Sequence, residues 1–242
     1  MTRLFALLLT LLVSFPALAD EAAIRQVMAA KLGLAVEGVQ ATPMAGVYEV
    51  QLRTSSGVHI VYTDAGAEHV ILNGKMIDVK TERNLTEERL RKLNAIRFDS
   101  LPLDLAIKIR RGDGKRVLAM FADPYCPACK RFEHELAQVN DVTVYVFMIP
   151  IIHPELADDS RAIWCSQDRA KAWTDLSLEG RRPSAKPGCS TPLKQIGALA
   201  DKLGVRATPT LFLADGERID GGLSAEQLDA ALNSAGRSAK RK

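Results

Sequence analysis

Aromatic side chains supply only 5 % of the 242 residues, and no stretch interleaves them with basic residues. A nucleic-acid surface of stacking rings along a cationic groove is therefore not expected. Charge of one sign is also scarce, with a formal net charge of +3. The one basic cluster, residues 237–242, falls in a Gly- and Ser-containing end that reads as a flexible tail rather than a binding patch. Internal repeats are absent. After the first residues, no apolar run approaches the ~20 residues of a bilayer span. Cysteine is sparse, at four, and the double Cys-x-x-Cys spacing of a zinc site is missing, so no metal and no cofactor are expected. The remaining composition, 47 % hydrophobic and 25 % charged, is that of a globular chain.

The first residues set the compartment. Arg3 is followed by the apolar run Leu4 to Val13, then Ser14-Phe15-Pro16 and Ala17-Leu18-Ala19 before Asp20. A charged start, a short apolar core and an Ala-x-Ala site predict a secretory signal peptide over residues 1–19, cleaved after Ala19. The exported chain then meets an oxidising environment, where disulfide chemistry is favoured over zinc.

Residues 21–34 follow as a short amphipathic helix, with Ile24, Val27, Met28 and Leu32 on one face. From residue 41 to 79 the pattern becomes alternation broken by turns: Val47 to Leu52, Val58 to Tyr62, Val70 to Leu72 and Met76 to Val79. A helix and meander this small buries little surface, and pairing with a second copy is a natural remedy. Asn84 then caps a charged connector helix with Glu87 as its capping-box partner, ended by Pro102. Beyond it, Gly112-Asp113-Gly114 makes a hairpin-like turn before the strand Val117 to Ala122. Val142 to Ile149 is a second strand, dense in β-branched and aromatic residues. Residues 154–203 are helical in character, Thr208-Pro209 leads a third strand, and Ser224 caps a helix running to Asn233.

The chemistry is carried by Cys126-Pro127-Ala128-Cys129, placed between the strand ending at Ala122 and the helix pattern Lys130 to Leu136. Free N–H groups and the positive end of a helix stabilise a thiolate on the first cysteine. Cys126 is accordingly the expected nucleophile and Cys129 the resolving thiol. Pro127 suits the first helical position. Neither Cys165 nor Cys189 has a Cys-x-x-Cys partner or a cationic site beside it, and the two are read as a structural disulfide. The alternatives for the Cys-x-x-Cys are a purely structural bridge and half of a metal site.

The order strand, Cys-x-x-Cys helix, strand, helical insert, Thr-Pro, hairpin, helix is that of a thioredoxin-type domain. Over nearly all of the mature length the chain resembles the periplasmic disulfide isomerases of the DsbC type, in the DsbC/DsbG family. Met44-Ala45-Gly46-Val47, Asn73-Gly74-Lys75-Met76-Ile77-Asp78-Val79, Ala162-Ile163-Trp164-Cys165, Lys186-Pro187-Gly188-Cys189 and Leu203 to Pro209 carry that resemblance. The lead-in Phe121-Ala122-Asp123-Pro124 and Pro127 are closer to the DsbG branch, which lacks a second cysteine pair. Pro127-Ala128 also departs from the Gly-Tyr usual in the best-known members, and residues between the cysteines tune redox poise.

The resemblance implies an α+β N-terminal dimerisation domain over residues 20–82, with Gly74 at the subunit contact. It also implies a helical linker over 83–104 and an α/β thioredoxin-like catalytic domain with a helical insertion over 105–236. Pro209 would be the cis-proline lying against the cysteines, and Thr208 would contact Cys126 and tune it. The implied function is isomerisation of incorrect disulfides in exported proteins in the periplasm, with chaperone-like binding of misfolded chains. The implied partners are a second copy of the chain and an inner-membrane reductant of the DsbD type. A DsbG-like reductase of sulfenylated cysteines and a non-catalytic holdase are the alternatives.

Overall fold

The computed structural model describes residues 17–33, 35–55 and 57–239. The signal peptide expected at 1–19 lies outside them except for its last three positions, and so do the final residues of the basic tail. The chain divides into two compact units, one ending at Thr86 but without residues 55–57, and one made of residues 55–57 and the chain from Glu87 onward. Among the described residues, no helix is long and apolar enough to cross a membrane.

The first unit opens with α1, Ala17–Leu32, followed by β1, Ala35–Ala41, β2, Val47–Thr54, β3, Gly57–Asp64, and β4, Val70–Ile71. These strands form one sheet in the order β1-β2-β3-β4, with antiparallel β1–β2 and β3–β4 pairs. From the expected apolar face of α1, Ile24 and Met28 are buried, whereas Leu32 is 40 % exposed. They pack with Val39, Tyr48, Val50, Leu52 and Val61 into a small core. β1 was not anticipated from the sequence. Gly38 interrupts it at a register shift, and a Cβ at Gly38 would fall 2.6 Å from Gln51 Oε1. The glycine makes room for that side chain, which is itself buried and donates to Glu49 at 3.0 Å. A two-strand ribbon, β5, Ile77–Asp78, and β6, Arg83–Asn84, completes the unit.

α2, Leu85–Leu93, is shorter than the predicted connector. It stops well before Pro102, and two single 3-10 turns follow, Phe98–Ser100 and Leu103–Leu105. Phe98 and Leu101 are buried, so the end of the supposed spacer is core of the second unit rather than a weakly packed link.

That unit contains β7, Ile107–Arg111, β8, Arg116–Ala122, α3, Pro127–Leu136, and β9, Val142–Met148. The insert follows as α4, Ala157–Cys165, and α5, Arg169–Glu179, and then come α6, Leu193–Lys202, β10, Thr210–Leu213, β11, Arg218–Asp220, and α7, Ala225–Ala239. The sheet order is β11-β10-β8-β9-β7, with β8 and β9 parallel and the other pairs antiparallel. A parallel pair needs a crossover, and α3 provides it. The Gly112–Gly114 turn therefore does not close a hairpin, because β9 lies between the strands it joins.

β8 is apolar on both faces because both faces are covered, as expected of a strand inside an α/β layer structure. Leu118, Met120 and Ala122 face a core with Phe132, Leu136, Trp173 and Leu228. The alternate residues Ala119 and Phe121 face Phe98, Phe147, Ile196 and Phe212. The Phe121 ring stacks on Phe147 at 4.9 Å. α7 starts where predicted: Gln227 N–H donates to Ser224 Oγ at 3.2 Å, and Ser224 N–H donates to Gln227 Oε1 at 3.1 Å. This reciprocal capping box starts a helix that continues past Asn233 to Ala239, so part of the expected tail is helical.

Candidate active site

β8 delivers the chain to the C-terminal edge of the sheet, and the turn Asp123-Pro124-Tyr125 carries it into α3. Cys126 is the N-cap of α3, with extended backbone at φ −70° and ψ 120°, and Pro127 takes the first helical position. Proline is suited there, since its missing N–H would have had no helical acceptor. The Cys126 N–H donates to Asp123 O at 3.1 Å, and its carbonyl accepts from Lys130 N–H at 3.0 Å. Cys129 falls one turn inside the helix. Both thiols are unbonded and buried, Cys126 at 5 % and Cys129 at 1 % exposure.

From the far end of the fold, β10 brings Thr208-Pro209 against this turn. The Thr208–Pro209 peptide bond is cis, and the Cys126 thiol donates to Thr208 O at 3.3 Å. The Thr208 hydroxyl is buried, with no hydrogen-bond partner among the described residues. It is available to donate to a sulfur once that sulfur is ionised.

The two sulfurs differ sharply in acidity. Burial pushes the Cys126 thiol up, but hydrogen bonds from Thr208, from Cys129 and from the Ala128 N–H outweigh it, and the pKa falls below its ordinary 9.0. Burial dominates at Cys129, whose pKa is pushed up to about 12 despite hydrogen bonds from Asp123 and Thr208. One thiol is thus prepared to ionise and the other to stay protonated. Ala128 packs partly buried against the core beneath them.

Several neighbours had no role in the sequence reading. Asp123, 1 % exposed, accepts from the backbone N–H of Tyr125 at 2.7 Å and of Ile151 and Ile152 at 2.7 and 2.8 Å. Tyr125 donates its hydroxyl to Asp159 of α4, and Arg182 grips the same carboxylate at 2.8 and 3.0 Å. Burial and the bond to Asp159 push the Tyr125 hydroxyl up to about 12. Burial alone would raise Asp159, yet the Arg182 and Tyr125 contacts hold it below the ordinary carboxylate value. Glu133, fully buried on α3, accepts from Trp173 Nε1 at 2.6 Å. Only Asp123 had a sequence signal, the Asp-Pro turn dipeptide before the cysteines; Asp159 and Arg182 join through tertiary packing alone.

Cys165 and Cys189 are bonded to each other and lie in the insert. Gly74 is in the first unit, where a Cβ would fall 2.7 Å from Ile71 Cγ2. His134 is exposed, while Trp164 and Trp173 are buried and pack in the insert. Among the described residues, no group of three or more His, Cys, Asp or Glu is placed to hold a metal ion.

Both parts of the chain match known proteins. Residues 103–236 match the thioredoxin-like domain family, and residues 15–87 match the disulfide bond isomerase protein N-terminal domain. The probable thiol:disulfide interchange protein DsbC of Bordetella parapertussis is 42 % identical over 83 % of this chain and 69 % of its own length. The Escherichia coli K12 thiol:disulfide interchange protein DsbC is 33 % identical over 89 % of both chains. A crystal structure of a disulfide interchange protein from Neisseria gonorrhoeae, 42 % identical, superimposes with a TM-score of 0.54 on 56 % of this chain and 98 % of that one. A strand-fed Cys-x-x-Cys against a cis Thr-Pro, preceded in the sequence by a separate helix-and-sheet unit, with these relatives over most of the length, assigns the chain to the DsbC family of thiol:disulfide interchange proteins.

Proposed function

We propose that this chain is a periplasmic disulfide isomerase with Cys126 as its nucleophile. The observation that carries the reading is the geometry of two unbonded thiols one helical turn apart at the start of α3, with the Cys126 thiol 3.3 Å from Thr208 O beside the cis Thr208–Pro209 bond. The lowered pKa of Cys126 and the raised one of Cys129 agree with it. A Cys126 thiolate attacks one sulfur of a wrong substrate disulfide. The Cys126–substrate S–S bond forms, the substrate S–S bond breaks, and the departing sulfur leaves as thiolate. When that freed thiolate attacks another disulfide of the same substrate, and a substrate thiolate finally displaces Cys126, the disulfides have been rearranged with no net electron transfer. If rearrangement stalls, Cys129 loses its proton and attacks Cys126. The substrate is then released with two electrons more, and Cys126–Cys129 is left oxidised. A dithiol donor must return those electrons, and an inner-membrane DsbD-type reductant fits that need. Thr208 and cis-Pro209 act beside the nucleophile, the first by donating to its thiolate and the second by shaping the substrate shelf, and Pro127-Ala128 sets the poise.

Homodimerisation belongs to the same proposal. β4 is a sheet edge, and around Gly74 the side chains of Ile71, Leu72, Ile77 and Val79 are 57, 64, 47 and 86 % exposed. An open edge strand amid exposed apolar side chains is suited to pairing with a second copy. Sedimentation of the mature protein as a monomer, or a Gly74→Arg variant with unchanged mass, would count against it.

The deciding experiment is reactivation of a scrambled multi-disulfide protein by wild type and Cys126→Ala. Loss of reactivation with retained suppression of aggregation is expected. Unchanged reactivation would leave a holdase, and activity confined to a sulfenylated cysteine would leave a DsbG-like reductase.

A further inference from the structure

Joined to the turn that leads into Cys126 is a rim that the thiol–disulfide steps do not use. The Asp123 carboxylate commits both oxygens to backbone, Oδ1 to Tyr125 N–H and Oδ2 to Ile151 and Ile152 N–H, all within 2.8 Å. Ile149 N–H adds a bond to Ala122 O at 2.9 Å. The segment after β9 is thereby clipped to the turn that carries the nucleophile, because the Tyr125 and Ile151 amides share one carboxylate. Burying a carboxylate is costly unless donors surround it. Here it holds in place two large side chains that remain in solvent, Ile151 at 46 % and Ile152 at 45 % exposure. Such an arrangement gains the free protein little apolar burial. Tyr125 is fixed alongside, its hydroxyl on Asp159 and its ring edge-on to His153 at a centroid distance of 6.3 Å.

The geometry points to a specificity shelf in which Ile151, Ile152 and the Tyr125 ring take the apolar side chains flanking a cysteine in a polypeptide substrate. The inference rests on Cys126 being the nucleophile. Its occupant follows from the chemistry, since a mixed disulfide on Cys126 tethers the substrate chain at the turn that Asp123 clips to this rim. Cysteine is among the most buried residue types, so the neighbours of a substrate cysteine that a misfolded chain exposes are rich in apolar side chains. Because the shelf is held by hydrogen bonds before substrate arrives, little ordering is lost on docking. Asp123 is a positioning residue, and the two isoleucines determine preference.

The test uses the reduced full chain and three disulfides: oxidised glutathione, and two cystine-linked peptides whose cysteine is flanked by Leu or by Ser. Rates of mixed-disulfide formation at Cys126 are compared. Wild type is expected to prefer the Leu-flanked peptide. Ile151→Ser/Ile152→Ser, at exposed positions where the fold is not at risk, should lower that preference by about tenfold with the glutathione rate unchanged. Ile151→Leu/Ile152→Leu should restore it. An unchanged peptide ratio in the serine double variant, or an equal loss with all three disulfides, overturns the shelf. Failure of wild-type Cys126 to react even with oxidised glutathione overturns the nucleophile assignment, and that failure reads out in a separate arm.

Discussion

Cys126 and Cys129 stand three positions apart and unbonded at the beginning of α3, whereas Cys165 and Cys189 lie 24 positions apart and bonded in the helical insert. The helix ends they occupy are opposite in polarity. Cys126 caps the N-terminus of α3, where unpaired N–H groups favour an anion, and Cys165 is the last residue of α4, where exposed carbonyls disfavour one. Their surroundings differ as well. The first pair sits against Thr208 and the core, while Cys189 is exposed. The comparison teaches that helix polarity and nearby donors favour a thiolate at one cysteine pair, while the other pair is joined in a bond that closes a loop.

The most direct way to break this contrast is Cys126→Ser, which should reduce thiol–disulfide exchange to the uncatalysed rate. Cys129→Ser should instead accumulate trapped mixed disulfides, visible on non-reducing gels. If the double variant Cys165→Ala/Cys189→Ala lost exchange as completely as Cys126→Ser, the assignment of roles would fail. Its expected cost is stability, about 3–4 kcal/mol by loop closure, read as a lower urea midpoint with the Cys126 ionisation unchanged.

Acidity sharpens the contrast next. The folded pKa of Cys126 is lowered, so its contribution to stability is present above its unfolded value near 9.0 and is lost as pH falls through the folded pKa. Cys129 has the opposite sign. Its contribution is full below 9.0 and is lost as pH rises towards about 12. Urea midpoints of the reduced protein should therefore fall above pH 9, and Cys129→Ala should remove much of that fall. At neutral pH a thiol alkylating agent should label Cys126 and leave Cys129 unmodified, checked by peptide mass. The smallest effect is expected from Tyr125→Phe. It removes one partly buried hydrogen bond to Asp159 and should cost about 1 kcal/mol, with exchange at Cys126 retained towards oxidised glutathione.

The fold was legible where pattern and period agree. The β8 run, the β9 run, the Ser224 cap and the Cys-x-x-Cys helix each carry a local signal, and each forms as expected. β1 was missed because Gly38 and alanines dilute its alternation, and what makes it a strand is pairing with β2. α2 was overextended because Ile96 and the residues after it look like a continuing apolar stripe. Phe98 and Leu101 leave the helix to fill the core behind Phe121. The Gly112–Gly114 turn misled because adjacent strands usually pair, and here the parallel β8–β9 contact separates them.

At the site, sequence alone determined which residues have the chemistry: a Cys-x-x-Cys at a strand-to-helix junction, a proline suited to N1, and a Thr-Pro ahead of a strand. Local spacing is enough for that, because a helix start and its dipole are properties of a few consecutive residues. Tertiary structure alone decided what surrounds them. Thr208 comes within 3.3 Å of Cys126 across 82 positions. Asp123 reaches to Ile151 and Ile152, and Tyr125 to Asp159 and Arg182. Burial separates the two thiols in acidity, and it too is set only once the sheet, α3 and the insert have packed. A hydrogen bond between distant segments leaves no periodicity in the sequence, and desolvation depends on every neighbour at once.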